Sequence, residues 1–184
     1  RFAAWRLLST LIVRSRAALR FPCMPASNSS DLVLLRHGIA EPRLAGQDHP
    51  DRALTAAGRQ RTRLVMAALV QRGLRLDRLL SSPYRRALQT AELAVEAGLA
   101  SALAVDERLE PGGALETLLT PFEGCIGLVG HEPDLGDRAC GLLGCAPGVL
   151  VLKKAGVIQL RRSAGQWQLQ ALLRPALLID DLSC

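Results

Sequence analysis

The sequence is poor in aromatic residues and has no long apolar run. Phe, Trp and Tyr together make up 3% of the 184 residues, so the chain has few of the stacking surfaces that bind single-stranded nucleic acid. No uninterrupted apolar stretch approaches the roughly 20 residues of a membrane-spanning helix. We therefore expect neither a nucleic-acid partner nor a membrane. The 49% share of hydrophobic residues instead fits an ordinary globular domain with a sizeable core.

The cysteines show no disulfide or metal-binding pattern. They are odd in number, and none stands in a CxxC pair or at metal-finger spacing: Cys23, Cys125, Cys140, Cys145 and Cys184. We expect free thiols, as in the reducing cytoplasm. The histidines are not at ligand spacing with paired cysteines or acids either, so the sequence predicts no metal and no other cofactor.

Acidic residues are absent from the first 30 positions, which hold five arginines. Since the net charge is +6, the remainder carries only +1. The basic character of the chain is thus a property of its N-terminal segment. Anion binding by the rest would depend on individual arginines in a pocket, which suits a phosphate group better than a nucleic-acid backbone.

Residues 1–23 are arginine-rich and include an apolar stretch at 7–13 that superficially resembles a targeting segment. Because Met24 opens a plain polar lead into the first strand, we expect the natural start there; a cleaved organelle transit peptide is the alternative. We predict that residues 1–30 are a disordered or non-native extension and that residues 31–184 form a single domain.

The first strand ends on two polar side chains. The apolar run Leu32–Leu35 is flanked by polar residues, as is typical of a strand buried on both faces. Because open α/β sheets bind ligands at the carboxyl ends of such strands, Arg36 and His37 are expected in a crevice, where Gly38 permits a close approach. For a lone histidine, satisfaction by its neighbours is the default interpretation.

Strands and helices alternate along the rest of the chain. Thr55 is a plausible N-cap of a helix that Gly73 ends, and Ser82 and Pro83 are expected to begin a second helix that runs to about Ala97. The further predicted elements are strands at 76–81, 103–105 and 125–130, helices at 114–119 and 133–143, and a β-hairpin at 157–160 and 167–172. This order predicts an α/β fold: a three-layer αβα sandwich with a mostly parallel central sheet and helices on both faces.

Two further features point to the same end of the sheet. The second helix carries Arg85 and Arg86 in its first turn, where a helix N-terminus already favours anions and stability alone would favour acids. The strand at 125–130 ends, like the first, on a histidine, His131. We expect these side chains to meet in one crevice.

Three motifs follow one another along the chain: Leu35-Arg36-His37-Gly38, Ser81-Ser82-Pro83 followed by Arg86-Ala87-Leu88-Gln89-Thr90-Ala91, and Val129-Gly130-His131. In this order they resemble the histidine phosphatase (phosphoglycerate mutase-like) superfamily, and the resemblance covers about residues 31–175. The short chain and the segment Leu109-Glu110-Pro111-Gly112-Gly113 are similar to the compact SixA-type phosphohistidine phosphatases, which lack large insertions over the site.

The resemblance implies a phosphoglycerate mutase-like fold and assigns roles to individual residues. His37 would be the nucleophile and pass through a phosphohistidine intermediate, while Arg36, Arg86 and His131 hold the phosphoryl oxygens. Fixed positive charge around three equatorial oxygens is what phosphoryl transfer needs. Glu107 or Glu110 lies where relatives keep a proton donor. Arg43, in the loop after the first strand, is a further candidate for binding substrate.

The resulting hypothesis is a cytoplasmic, metal-independent phosphatase that removes phosphate from a phosphohistidine protein of a signal-transduction pathway. A phosphoramidate leaving group demands little acid assistance, which suits a chain whose proton donor is poorly defined. One alternative is a phosphatase of the same superfamily acting on small phosphate esters. Another is a non-catalytic phosphoprotein-binding module, although such a module needs no nucleophile. The substrate's identity and the oligomeric state stay open.

Overall fold

The computed structural model describes residues 30–118 and 122–179. The expected start at Met24, the N-terminal extension before residue 30, Cys23 and Cys184 lie outside these residues.

A six-stranded mixed sheet with the order β3-β2-β4-β1-β5-β6 forms the centre of the molecule. Its strands are β1 (Ser30–Arg36), β2 (Arg78–Ser81), β3 (Ala104–Val105), β4 (Gly124–Gly130), β5 (Val157–Ser163) and β6 (Gln166–Leu173). The neighbours among β3, β2, β4 and β1 are parallel, whereas β5 is antiparallel to both β1 and β6. The predicted hairpin is therefore confirmed, and its second strand forms one edge of the sheet.

Among the residues described, the helices are α1 (Ala56–Gln71), α2 (Arg85–Glu96), α3 (Asp134–Leu143) and α4 (Pro175–Ile179). Two 3₁₀ helices, Glu107–Leu109 and Leu115–Leu118, lie between β3 and β4. The N-cap of α1 is confirmed, since the hydroxyl of Thr55 accepts a hydrogen bond from the N–H of Gly58. No helix in the described ranges is long and apolar enough to cross a membrane.

The predicted beginning of α2 is wrong. The helix begins at Arg85, with Tyr84 in the cap position and no side-chain cap, rather than at Pro83 after a Ser82 cap. The hydroxyl of Ser82 accepts from the N–H of Tyr84 at 3.3 Å, before the helix begins, and also lies 2.9 Å from Nε2 of His131. Ser82 therefore contacts both the turn that precedes α2 and the histidine that follows β4. The short helix α4 was not predicted.

The first strand is buried on both faces, as its composition predicts. Val33 and Leu35 belong to the apolar cluster that includes α1 and α2, while Leu32 and Leu34 belong to the cluster that includes α3. All four side chains have no exposed surface. This alternation confirms the three-layer arrangement with helices on both faces of the sheet.

The topology brings the ends of β1 and β4 together. These strands are parallel neighbours in which Arg36 pairs with Gly130, so His37 and His131, each one residue further on, leave the sheet side by side. The N–H of His37 donates to the carbonyl of Gly130 at 3.1 Å. Strand β2 pairs with the other side of β4 and leads into α2, so the helix with Arg86 begins at the same edge.

Candidate active site

Arg86 lies between the two histidines. Its Nε donates to Nε2 of His37 at 3.3 Å, and its Nη2 lies 3.3 Å from Nδ1 of His131. The ring centroids of the two histidines are 5.1 Å apart. All three side chains are buried, Arg86 with only 1% of its surface exposed. The three sequence motifs therefore meet at one place.

Hydrogen-bond partners assign the tautomers of both rings. Nδ1 of His37 lies 2.7 Å from the carbonyl oxygen of Gly38, so Nδ1 carries the hydrogen and donates it. Nε2 of His37 is then left with a lone pair. In His131, Nδ1 accepts from Arg86, which makes Nε2 the donor to the hydroxyl of Ser82.

Both histidines are electrostatically disfavoured as cations. Burial lowers the pKa of His37 to about 3; its hydrogen bond to Gly38 opposes this, while His131, Arg86 and Arg36 lower the pKa further. Burial likewise lowers the pKa of His131 to about 3, and Arg86 contributes in the same direction. At neutral pH the rings are uncharged, so Nε2 of His37 carries an unprotonated lone pair, which accepts from Nε of Arg86 in the free protein. Once that hydrogen bond is exchanged for one to a ligand, the lone pair can attack an electrophile.

Arg36 supplies a second guanidinium at the end of β1. Its Nη1 donates to the carbonyl of Leu152 at 2.6 Å, and its backbone N–H donates to Gly156 at 3.1 Å. The side chain is half-buried and lines the same pocket as His37. Two arginines from different elements thus face one cavity.

That cavity is a pocket of about 750 Å³. It is lined by Arg36, His37, Ala40, Glu41, Pro42, Arg43, Asp48, Arg52, Arg86, Pro111, His131, Glu132, Pro133 and Lys154. The predicted residues Arg36, His37, Arg43, Arg86 and His131 are all among them. Such a cationic lining suits an anionic ligand.

The two candidate proton donors are not in this lining. Glu107 is exposed at the start of a 3₁₀ helix, and Glu110 is half-buried at its end. Only the next residue, Pro111, reaches the pocket wall. The geometry therefore gives no support to a proton donor at either position.

Sequence reasoning missed Asp48, which lies in the loop between β1 and α1. Its Oδ2 lies 2.9 Å from Nη2 of Arg86, its Oδ1 accepts from Nη1 of Arg52, and Nη2 of Arg43 is 3.6 Å from Oδ2. Burial by itself would raise the pKa of Asp48, but the three arginines outweigh it and hold that pKa below its ordinary value. The one available signal was its position in the same loop as Arg43, a predicted substrate-binding residue.

Within residues 30–118 and 122–179, no three His, Cys, Asp or Glu side chains are grouped so that they could hold a metal ion.

Comparison with known proteins agrees with the arrangement of the motifs. The family model for the histidine phosphatase superfamily, branch 1, matches residues 32–118. A relative from Picosynechococcus, itself uncharacterized, is 40% identical over 146 residues, which cover 75% of this chain and 88% of that protein. The chain belongs to the histidine phosphatase superfamily.

Solved structures of similar fold include phosphatases that are named for different substrates. The structure of the protein histidine phosphatase SixA complexed with tungstate matches with a TM-score of 0.69 at 24% identity. The match covers 80% of this chain and 99% of the SixA chain. A phosphoserine phosphatase mutant from Entamoeba histolytica, in complex with phosphoserine, has a TM-score of 0.62 at 20% identity, with coverages of 79% and 98%. At these identities, the structures establish a shared fold.

Proposed function

We propose that this histidine phosphatase hydrolyses phosphohistidine on a protein, with His37 as the nucleophile. The observation that carries the proposal is the buried trio of His37, Arg86 and His131 at a pocket whose lining includes four arginines. The nucleophilic atom is Nε2 of His37, because Nδ1 is held by the carbonyl of Gly38 at 2.7 Å. A neutral imidazole beside fixed guanidinium groups suits attack on a phosphoryl group.

The reaction has two steps. The lone pair of Nε2 attacks phosphorus while the phosphorus–nitrogen bond of the substrate breaks, and the departing imidazole keeps or acquires a proton. Water then attacks the phosphoryl group on His37, which releases inorganic phosphate and restores the free ring. In each transition state the charge is spread over three equatorial oxygens while the attacking and leaving atoms lie in line, so preorganised donors that match this geometry contribute most there.

Arg36, Arg86 and His131 are the proposed donors to those oxygens. The arginines are charged at all relevant pH values, and a guanidinium fork fits phosphoryl oxygens. His131 is neutral in the free enzyme, since Nδ1 accepts from Arg86. A bound phosphoryl dianion would raise the pKa of His131, because it favours the charged ring. Arg43, more exposed and at the pocket wall, would contact the outer part of the substrate.

Two observations favour a phosphohistidine protein as substrate. Neither predicted proton donor, Glu107 or Glu110, lines the pocket, and an imidazole that arrives protonated needs no acid in order to leave. The similarity to SixA points in the same direction. The phosphoserine complex of the Entamoeba relative is the reason to keep small phosphate esters as the second candidate.

The proposal includes independence from metal ions, a cytoplasmic location and a role in phosphotransfer signalling. The positive charge that a metal would bring to the phosphoryl group is here assigned to Arg36 and Arg86. Activity should accordingly survive a chelator; loss that added metal reverses would remove this part of the proposal.

The decisive experiment compares substrates and follows the intermediate. Hydrolysis of a ³²P-labelled phosphohistidine phosphotransfer protein is measured beside a panel of small esters that includes phosphoserine. Wild-type enzyme should prefer the protein and form an acid-labile phosphoenzyme, and His37→Ala should do neither. His49→Ala is the matched control. This histidine is exposed in the loop between β1 and α1, so the variant should behave like wild type.

Each failure has a distinct meaning. A clear preference for esters would replace the proposed substrate with the second candidate. Labelling that persists in His37→Ala would remove His37 as the nucleophile. Tight binding of the phosphoprotein without turnover would identify a binding module.

A further inference from the structure

The guanidinium of Arg36 is oriented by one backbone carbonyl. Nη1 donates to the oxygen of Leu152 at 2.6 Å, whereas Nε is buried and has no hydrogen-bond partner among the residues described. Because the arginine side chain is long and flexible, this hydrogen bond to Leu152 determines where the guanidinium lies. The location of the Leu152 carbonyl therefore sets the direction of Arg36.

Leu152 lies in the irregular segment between α3 and β5, and a carboxylate holds it there. Its backbone N–H donates to Oε1 of Glu132 at 2.9 Å, and its side chain is fully buried in the cluster that includes α3. Leu152 thus donates its N–H to Glu132 and accepts at its carbonyl from Arg36. Glu132 directly follows His131, so the chain of contacts begins and ends within the site.

The absence of a side chain at Gly136 leaves space for the carboxylate of Glu132. A Cβ at position 136 would stand 2.8 Å from Oε2 of Glu132 and would also collide with the carbonyl oxygen of Leu150. Gly136 therefore leaves room for both the acid and the returning chain. Burial raises the pKa of Glu132, and the nearby charge of Arg36 counteracts this.

We propose that Glu132 is a positioning residue for Arg36, acting through the N–H and the carbonyl of Leu152. Its effect on turnover rests on the proposed phosphatase activity, but its effect on anion binding does not. Glu132 also lines the pocket, so the rival role is that of a proton donor. Since Oε1 is already bound to the N–H of Leu152, the positioning role accounts for the observed contact.

The test uses three variants. Glu132→Ala removes the acceptor, Glu132→Gln keeps an amide oxygen that can accept from Leu152, and Asp137→Ala is the control. Asp137 lies in α3 and accepts a hydrogen bond at 2.9 Å from the N–H of Gly148, which belongs to the segment between α3 and β5. It therefore also holds that segment, but no described contact links it to an arginine. Tungstate and inorganic phosphate affinities are measured by calorimetry, and kcat and KM with the phosphohistidine protein.

Glu132→Ala should weaken anion binding and lower kcat/KM by about tenfold, on the scale of one lost charge-assisted contact. Glu132→Gln should recover most of both quantities, and Asp137→Ala should match wild type. In an Arg36→Ala background, Glu132→Ala should have no further effect, because residues that act as a unit are non-additive. Thermal melting of each variant establishes that it is folded.

Several results would overturn the proposal: full additivity with Arg36→Ala, unchanged anion affinity in folded Glu132→Ala, or an equal loss in Asp137→Ala. Turnover abolished in Glu132→Gln with anion affinity intact would assign the proton-donor role instead. If Glu132→Ala does not fold, Glu132→Asp replaces it, since the shorter side chain withdraws the carboxylate from Leu152. If wild-type protein binds tungstate but does not hydrolyse phosphohistidine, the proposed function is contradicted. The anion affinities of the Glu132 variants would then decide the positioning role on their own.

Discussion

The carboxylate of Asp48 lies 2.9 Å from Nη2 of Arg86, inside the pocket where we propose that the phosphoryl group binds. Arg86 thus has a resident counter-ion in the free enzyme. An incoming phosphoryl dianion would meet a negative charge at the side chain it needs most. Asp48 should therefore limit affinity for anions.

Asp48→Asn should tighten inhibition by inorganic phosphate about fivefold, close to the roughly 1 kcal/mol of a partly exposed charge interaction. The amide keeps the shape of the side chain but removes its charge. Asp51→Asn is the control, because that carboxylate is exposed and lies near His49. Inhibition constants measured at fixed ionic strength test the prediction. Weaker inhibition in Asp48→Asn would mean that Asp48 chiefly holds the arginines in place.

Arg86→Ala should lose about 2 kcal/mol or more of transition-state stabilisation, seen as a fall in kcat/KM of at least roughly thirtyfold. Arg86→Lys should recover little, because an ammonium group lacks the fork that reaches both histidines. The adjacent Arg85, whose side chain is exposed, gives the control Arg85→Ala. Near-normal kinetics in Arg86→Ala would contradict the proposed role.

As pH decreases, the free energy of unfolding should begin to fall at a higher pH than protonation of the carboxylates alone would cause. The folded-state pKa values of His37 and His131 are lowered to about 3, so below pH 6.5 the unfolded chain binds protons on these rings that the folded chain does not. The free energy of unfolding should decrease as pH falls from about 6.5 toward 3, by up to about 1.4 kcal/mol per pH unit for each ring.

Urea unfolding between pH 6.5 and 5 measures that slope. His37→Gln, which cannot titrate, should reduce that slope. An identical slope in wild type and His37→Gln would show that His37 does not resist protonation.

Gly38→Ala should destabilise the protein by about 1 to 3 kcal/mol. A Cβ there would collide with Oγ1 of Thr62 and lie 3.2 Å from Cδ2 of Leu54. The same crowding would move the adjacent His37, so activity should fall as well. Thr62→Ala removes the obstructing hydroxyl, which is buried and without a described hydrogen-bond partner. The double variant should recover much of the loss in chemical denaturation, and failure to recover would place the strain elsewhere.

Sequence patterns were sufficient for the parallel part of the sheet and for the residues at its edge. Four apolar residues between polar flanks determine a strand that must be buried on both faces, as Leu32–Leu35 are. Parallel pairing then requires that residues following β1 and β4 emerge together, which is why His37 and His131 could be expected as neighbours before any distance was known. The length of these apolar runs and the polar residues that flank them carried this information.

The functions of Ser82, Asp48 and Glu132 depended on tertiary contacts. Ser82 has the local signature of a helix cap, yet its hydroxyl contacts His131, 49 residues later. Asp48 reaches Arg86 across 38 positions, and Leu152 reaches Arg36 across 116. Irregular loops have no hydrophobic period from which such partners can be read, because the sheet and helices on which they rest decide where their side chains lie. The sequence by itself thus determined the strand that ends at His37, while only the folded chain decided which groups hold and oppose the arginines around it.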